Sequence, residues 1–300
     1  MSSTYNDITT CISFCTNDSR YLKRCLEEVR VFSSQIIVTV CDHFFNGEKE
    51  DYPLLHQLYQ EYSDCEWIEY PYLHNELYNP YVCSSPESVN WKMYWHATSR
   101  YIAYFFIKHP YTLFLDVDEI VEGEKFHSWL KSKAYTNYNA IRLQNYYYFR
   151  EAHFRATQHH NNTLIARTKA LSPERIFNPD DRFGIFLKIP EPKWENVSGL
   201  DGKPMIHHYS GVKTKNEWLK KGKTVGHDWE KDWASLIEEE YARGFMGKDF
   251  TFGHNYEIVS PYFDPLAVSL KNETYPPFIS HVRRVTKEEI RRLEIKRSYL

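Results

Sequence analysis

Three acidic residues follow a strongly apolar segment in TLFLDVDEIV, which spans residues 112–121. They are Asp116, Asp118 and Glu119. A carboxylate withdrawn from water is costly unless it is paired with a cation or bound to one. Acids placed where a buried strand reaches the surface therefore suggest a metal site. A solvated strand end is the alternative explanation.

Asp116 and Asp118 could hold one cation together, because residues two apart in an extended strand project to the same side. Two carboxylates leave most of a Mg²⁺ or Mn²⁺ coordination sphere open, so we expect a third ligand. His207 and His208 are the best candidates. Adjacent strand residues face opposite ways, and we predict that His208 faces inward, with Mn²⁺ slightly favoured over Mg²⁺ by the imidazole. A hydrogen-bonded histidine near the core is the alternative.

The elements that would position these residues alternate between strand and helix in the first part of the chain. Apolar runs predict strands at 8–14, 35–42, 65–70 and 111–121, and helical periodicity predicts helices near 22–31, 52–62 and 89–107. This order predicts an α/β fold with a central, mainly parallel sheet flanked by helices. Ligands of such sheets bind outside the carboxyl ends of the strands, where Asp42 and Asp116 fall.

The pattern becomes irregular after Glu122. Strands are predicted at 140–149, 163–168, 183–189 and 204–210, and the segments beyond Lys213 favour helices. We therefore expect one body over residues 1–213, with halves at about 8–122 and 123–213. A helical C-terminal extension over residues 214–300 would pack on this body.

Composition excludes several classes of protein. The chain has 300 residues, 42% of them hydrophobic, which is ample for a large core. A net charge of -3 argues against broad nucleic-acid binding. No signal peptide or membrane span is expected, which predicts a soluble, cytoplasmic protein with reduced cysteines.

The same residues resemble nucleotide-sugar glycosyltransferases of the GT-A (Rossmann-like) fold, closest to the family 2-like group. The resemblance covers about residues 8–121, with weaker support to Lys213. It rests on TNDSRYLKRCL after the first strand, on Asp42 in VTVCDHF, and on the Asp-x-Asp motif in LFLDVDEIV. The Asp-Gly-Ser that usually follows the second strand is absent.

The resemblance implies a metal-dependent enzyme that transfers a sugar from a nucleoside diphosphate to a hydroxyl acceptor. The first half would bind the nucleotide and the second half the acceptor. Asp118 would ligate the metal directly, and Asp116 would contact the donor ribose or reach the metal. Asp42 would contact the nucleobase. The remaining candidate donor-binding residues are Thr16, Asn17, Asp18, Arg100 and Lys213, with Lys215 as an alternative to Lys213.

An inverting reaction needs a base that takes the acceptor proton, and the candidates are Glu174, Asp180 and Asp181. The implied donor is a UDP-sugar more than a GDP-sugar, and the acceptor is a glycan or another hydroxyl compound. Aromatic residues make up 17% of the chain, so 145–149, Trp194 and Trp218 could line an acceptor groove.

Two other functions stay open on sequence alone. A phosphatase of the haloacid-dehalogenase type also uses an Asp-x-Asp at a strand end, with the first aspartate as nucleophile. Its motif usually opens the chain, whereas here several α/β units precede Asp116. A non-catalytic nucleotide- or carbohydrate-binding module with a transferase fold is the other alternative.

Overall fold

The computed structural model describes residues 7–73, 76, 78, 91–178, 180–224, 232–268 and 281–297. Strands in these residues form a twelve-stranded sheet. They are β1 (Ile8–Phe14), β2 (Gln35–Cys41), β3 (Glu66–Tyr70), β4 (Tyr111–Asp116), β5 (Glu119–Val121), β6 (Ala140–Phe149), β7 (Phe154–Ala156), β8 (His160–Arg167), β9 (Pro192–Val197), β10 (Ile206–Gly211), β11 (Tyr256–Ile258) and β12 (Arg283–Arg284).

Helices of the described residues cover both faces of the sheet. They are α1 (Ser19–Val29), α2 (Tyr52–Glu61), α3 (Trp91–Tyr104), α4 (Gly123–Lys131), α5 (Pro173–Ile176), α6 (Asp181–Lys188), α7 (Lys215–Thr224), α8 (Trp233–Tyr241) and α9 (Lys287–Arg297). One hydrophobic cluster joins α1, α2 and α4 to one face, and a second joins α3, α5, α6 and α9 to the other. The predicted α/β class with a sheet flanked by helices is thus confirmed.

Sheet order explains where a ligand can enter. The main path runs β11-β7-β6-β8-β4-β1-β2-β3-β12, and β10 pairs with β5 and β6. Strands β4, β1, β2, β3 and β12 are parallel, whereas β8 joins β4 antiparallel. Ser13 lies opposite both Thr39 and Asp116, so the carboxyl ends of three parallel strands meet at one edge.

Helix α1 shows how the sequence specifies this packing. Its buried residues Leu22, Cys25, Leu26 and Val29 recur at three- and four-residue intervals, which is the spacing of one helical face. This face joins the core cluster that also contains Ile12 of β1. Burial of the apolar face, and not helix propensity alone, therefore holds α1 against the sheet.

Two predicted strands differ in the structure. Residues 183–189 belong mainly to helix α6, because Arg182, Ile185, Phe186 and Ile189 are the buried positions and follow a helical period. The predicted strand 111–121 is divided by a turn at residues 117–118 into β4 and β5.

The C-terminal extension is only partly helical. Helices α7, α8 and α9 form as predicted, but β11 pairs with β7 and β12 pairs with β3. The extension therefore contributes strands to the sheet as well as helices. No helix in the described ranges is long and apolar enough to cross a membrane. Cys11, Cys15, Cys25, Cys41 and Cys65 are free thiols, and Cys83 lies outside the described residues.

Candidate functional site

A cleft of about 830 Å³ opens at the carboxyl ends of the parallel strands. Its walls come from the turn after β1, the ends of β2 to β4, the turn between β4 and β5, strand β10 and helix α7. This is the edge at which open α/β sheets bind ligands. The site therefore combines residues from distant parts of the chain.

Asp118 and His208 face each other in this cleft. The turn at 117–118 turns Asp118 toward β10, where His208 lies opposite Glu119. The Asp118 Oδ1 atom is 3.6 Å from His208 Nε2, too far for a good hydrogen bond. Within the described residues, Asp118 Oδ1 and His208 Nδ1 have no hydrogen-bond partner, although both residues are more than nine-tenths buried. Asp118 Oδ1, which is one of these two unpartnered atoms, and His208 Nε2 thus stand at a spacing that a shared ligand would satisfy.

Burial sets the protonation tendencies of this pair. It raises the pKa of Asp118, which His208 and Lys221 partly offset, and it lowers the pKa of His208. Lys221 Nζ lies 4.0 Å from Asp118 Oδ2 and donates to the Ser210 carbonyl over 3.1 Å. A divalent cation bound directly between Asp118 and His208 would add its positive charge to that of Lys221 and favour the ionised carboxylate.

Asp118 and His208 fit a divalent cation whose other ligands come from a substrate. Ligand atoms about 2.1 Å from a cation are about 3–4 Å apart, as the Asp118 and His208 atoms are. In the ranges that the structure describes, no three His, Cys, Asp or Glu side chains cluster as a metal site. A Mg²⁺-type ion typically takes one or two protein ligands and completes its sphere with phosphates and water.

Asp116 has a different environment. Its carboxylate accepts a bond of 3.0 Å from Arg100 and another of 3.0 Å from Arg182. Burial alone would raise the pKa of Asp116, but the two arginines outweigh it and lower the pKa to about 2. Asp116 and Asp118 do not lie in one extended strand as expected, because the backbone turns between them, although both line the cleft. Asp116 lines the cleft but is already neutralised by arginine.

Arg182 is the buried centre of a charge network under the cleft. It is 1% exposed and donates to Glu119 Oε1 over 3.0 Å as well as to Asp116. Glu119, which is fully buried, also accepts the Asp116 amide over 3.0 Å. Glu119 therefore supports the loop from below.

Arg100 is 2% exposed and pairs with Asp116 and Asp181. It does not line the cleft, so its predicted donor-binding role is corrected to a supporting one.

His207 lies on the opposite side of β10 from the cleft. Its Nδ1 is 2.7 Å from the Tyr148 hydroxyl, its Nε2 is 3.1 Å from Glu122, and its ring stacks on Tyr262 at 4.5 Å. Burial lowers the pKa of His207. The structural alternative thus describes His207, whereas His208 faces Asp118.

The turn after β1 carries the predicted donor-binding residues Thr16, Asn17 and Asp18, and all three line the cleft. Lys213 also lines it, with Nζ 2.5 Å from Asp18 Oδ1. Burial would lower the pKa of Lys213, but Asp18 outweighs it and raises the pKa. Lys213 is therefore a buried, charged lysine that the structure places beside the turn.

Asp42 directly follows β2 but does not line the cleft. Its Oδ1 accepts the Tyr72 amide over 2.6 Å and lies 2.7 Å from His43 Nδ1. The predicted nucleobase contact is therefore not carried forward for Asp42. Glu50 lies in the cleft wall instead, buried, with its carboxylate accepting the amide and hydroxyl of Thr16.

The base candidates lie in different places. Asp180 is exposed and lines the cleft. Asp181 also lines it, but Arg100 and His96 outweigh the effect of burial and hold its pKa well below the usual range. Glu174 lies outside the cleft, where Ser172 Oγ is 3.1 Å from its carboxylate, and it is removed as a base candidate.

Asp181 also has a positive φ of 55°, a backbone conformation that is costly for a residue with a side chain. Its ion pairs with Arg100 and Arg182 hold it in that conformation.

Several aromatic residues line the cleft as predicted for an acceptor groove, but not all of them do. Tyr147 and Trp218 are part of its wall. Trp194 is 62% exposed outside the cleft and contacts Phe186. Lys215 lies outside as well and pairs with Glu238.

Sequence reasoning missed Glu50, Arg182, Lys221 and Phe252. Arg182 directly precedes the segment 183–189 that was predicted as a strand, and Phe252 lies in the extension that was predicted to be helical. A signal exists for Lys221: Trp218 and Lys221 are three residues apart on helix α7, and both line the cleft.

Comparisons with known proteins give fold-level similarities at low identity. No protein-family profile and no curated protein sequence matches the chain. The bifunctional IspDF from Campylobacter jejuni is similar over 71% of this chain and 53% of its own, with 12% identity and a TM-score of 0.39. The glycosyltransferase GlyE of Streptococcus pneumoniae TIGR4 is similar over 79% and 63%, with 11% identity and a TM-score of 0.37.

A third similar structure is the CMP:2-keto-3-deoxy-manno-octonic acid synthetase complexed with CTP, over 72% of this chain and 95% of its own, with 7% identity and a TM-score of 0.33. The chain thus spans between half and two thirds of the length of IspDF and GlyE. With every TM-score below 0.5, these similarities carry no argument about activity. The function has to be inferred from the cleft.

Proposed function

We propose that the protein is a metal-dependent glycosyltransferase of the GT-A type. It would transfer a sugar from a nucleoside diphosphate, UDP ahead of GDP, to a glycan or another hydroxyl acceptor. The observation that carries the proposal is the facing pair Asp118 and His208, buried and 3.6 Å apart at the carboxyl edge of the parallel strands. Ligands of this kind suit Mn²⁺, or Mg²⁺, held jointly with a diphosphate.

The chain supplies charge and position for the leaving diphosphate. A divalent cation at Asp118 and His208 would supply Lewis-acid stabilisation of the negative charge that develops on the leaving phosphate. Lys213 and Lys221 line the same cleft, and once the cation is bound their ammonium groups would donate hydrogen bonds to the phosphate oxygens. Thr16, Asn17 and Asp18 would hold the nucleoside in the turn after β1.

Asp180 is our choice for the base that takes the acceptor proton. It is exposed at the cleft wall, so its carboxylate can reach a bound hydroxyl. Asp181 would be a weak base, because ion pairs hold its pKa well below the usual range.

The environment of Asp116 disfavours the phosphatase alternative. A nucleophilic aspartate must approach a phosphorus atom with a free oxygen, but each oxygen of Asp116 accepts a bond from arginine. A non-catalytic binding module would keep the nucleotide site without turnover. Release of nucleoside diphosphate from a nucleotide sugar separates this alternative from an enzyme.

The experiment is a thermal-unfolding screen with UDP-glucose, UDP-galactose, UDP-N-acetylglucosamine and GDP-mannose, each with and without Mn²⁺. A ligand that binds only the folded chain raises Tm, and at about 100 times its Kd it stabilises by about 2.7 kcal/mol. We expect a rise that requires Mn²⁺, with nucleotide release under the same conditions. Asp118→Asn should abolish the manganese-dependent part.

Asp201→Asn is the matched control, because Asp201 is exposed outside the cleft and pairs with Lys125. It should behave as the parent does. An equal, manganese-independent rise in the parent and in Asp118→Asn would overturn the metal assignment. No rise with any nucleotide sugar would overturn the proposed donor class.

A further inference from the structure

The cleft wall contains the ion pair between Asp18 and Lys213. It also contains a group of aromatic and neutral polar residues, and Lys221 contacts two of them, Ser210 and Trp218. This group consists of Tyr147, Asn162, Ser210, Trp218, Thr251 and Phe252. Aromatic rings mixed with amide and hydroxyl groups suit a polar, uncharged ligand that has apolar faces.

Phe252 stands on a tightly organised loop. The carboxylate of Asp249, which is 4% exposed, accepts the backbone amides of Phe252 over 2.5 Å and His254 over 2.9 Å. It also accepts the hydroxyls of Thr251 and Tyr256, at 2.5 and 3.0 Å. One buried carboxylate thus fixes the loop, and the side chain of Phe252 is presented by a rigid support.

Aromatic rings surround part of the Phe252 side chain. The ring meets His160 edge to face at 5.0 Å, stacks on His254 at 5.4 Å, and contacts Tyr147 at 5.4 Å. His160 and His254 bring their Nε2 atoms within 2.7 Å, and burial lowers the pKa of His160 to about 3. Phe252 is nevertheless 49% exposed and lines the cleft.

This aromatic surface is next to the candidate metal ligands. The Tyr147 ring lies 5.6 Å from the His208 ring, and the Phe252 ring lies 5.4 Å from the Tyr147 ring. A ligand on Phe252 would therefore lie one aromatic side chain away from the pair Asp118 and His208.

We propose that Phe252 and Tyr147 form the acceptor subsite and that the acceptor is an uncharged saccharide. The apolar C–H face of a pyranose ring would pack on Phe252, while Asn162 and Thr251 would reach its hydroxyls. The inference rests on the proposed function for the role of this saccharide as acceptor. The stacking site itself is testable without the donor.

The experiment measures binding of methyl glycosides of glucose, galactose and N-acetylglucosamine to the full chain by saturation-transfer and titration NMR. Phe252→Ala should weaken the bound glycoside by about tenfold, since loss of a stacked ring removes a contact of that order. Phe252→Trp should restore affinity to within about threefold of the parent. Trp194→Ala, an exposed aromatic residue outside the cleft, is the matched control and should change nothing.

Parallel Tm measurements with UDP-glucose and Mn²⁺ separate the two proposals. If the glycosides bind the parent and Phe252→Ala equally, or bind neither, the acceptor subsite is overturned. The proposed function still stands in that case if UDP-glucose with Mn²⁺ raises Tm. If glycoside binding depends on Phe252 but no nucleotide sugar raises Tm, the saccharide site stands and the transferase function falls.

Discussion

Glu50 allows a quantitative test of the cleft wall. Its carboxylate is 5% exposed and accepts the Thr16 amide at 3.2 Å and the Thr16 hydroxyl. Burial, only partly offset by the bonds from Thr16, raises the pKa of Glu50 from 4.5 to about 7. Glu50→Gln keeps an acceptor for the Thr16 amide but removes the titrating group.

The sign of the effect follows from proton binding. Between pH 4.5 and pH 7 the folded chain holds a proton on Glu50 that the unfolded chain has released, so the parent loses stability as pH rises through this window. The pKa difference of 2.5 units, at 1.36 kcal/mol per unit, amounts to about 3 kcal/mol. Above pH 7 both states are ionised and the loss is complete. Glu50→Gln lacks this contribution.

The assay is urea unfolding followed by tryptophan fluorescence at pH 4.5, 6 and 8. The free energy of unfolding of Glu50→Gln minus that of the parent should increase by about 3 kcal/mol over this range. Taking the difference cancels the other titrating groups. Glu48→Gln, at an exposed position of the same loop, should follow the parent. Parallel pH profiles for the parent and Glu50→Gln would refute the buried, protonated carboxyl group.

Three further changes test the site and its support. His208→Ala should require at least about tenfold more Mn²⁺ for half-maximal nucleotide release, since losing one ligand of a metal costs affinity of that order. His207→Ala should keep the parent's manganese requirement but lose stability. Identical manganese titrations of all three proteins would exclude His208 as a ligand. Asp42→Ala should lower the free energy of unfolding by about 1–3 kcal/mol, because a backbone amide loses its acceptor. Calorimetry should find the donor affinity unchanged. Weaker donor binding in a folded variant would show that Asp42 does contact the nucleobase. Arg182→Met should destabilise by about 3–5 kcal/mol in urea unfolding, since it strands buried carboxylates, and a loss under 1 kcal/mol would contradict the network.

Local patterns predicted the sheet well where a strand is buried along its whole length. Ile8–Phe14 and Ala140–Phe149 have the predicted bounds, because most of their side chains are apolar or aromatic and nearly every position is buried. Segment 183–189 was assigned wrongly for the same reason. A short apolar run fits a strand and a buried helix equally well, and only the position of its buried residues against β8 and α5 distinguishes them.

The acidic residues of the site were easier to predict from the sequence than its basic residues. Asp118 and His208 were predicted from strand order and residue type, and the structure places both in the cleft, facing each other. The partner of Asp116 was not, since Arg182 lies 66 positions away, and no local spacing connects the two. Phe252 was missed for a related reason: its exposure depends on a loop that Asp249 organises only after the chain has folded.

The two aspartates of one motif therefore have separate tasks. Asp116 belongs to a buried layer under the cleft in which three carboxylates meet two guanidinium groups. The members of this layer are Asp116, Glu119, Asp181, Arg100 and Arg182. Formal charges leave this layer with about one excess negative charge, as expected for an arrangement that supports a turn and not for one that attracts an anion.

The charges at the cleft surface also favour different roles for Asp116 and Asp118, and they support a donor whose binding depends on a metal cation. Lys213 is paired with Asp18, and Lys221 is the cation nearest to Asp118, so the positive charge of each lysine is matched by a carboxylate. A diphosphate would thus meet a surface that is close to neutral, above a layer that is slightly negative. Two lysines alone would not give it a favourable potential, because their fields are cancelled within a few ångströms. A divalent cation between Asp118 and His208 would make the local charge positive, which is the physical reason to expect that donor binding requires Mn²⁺ or Mg²⁺.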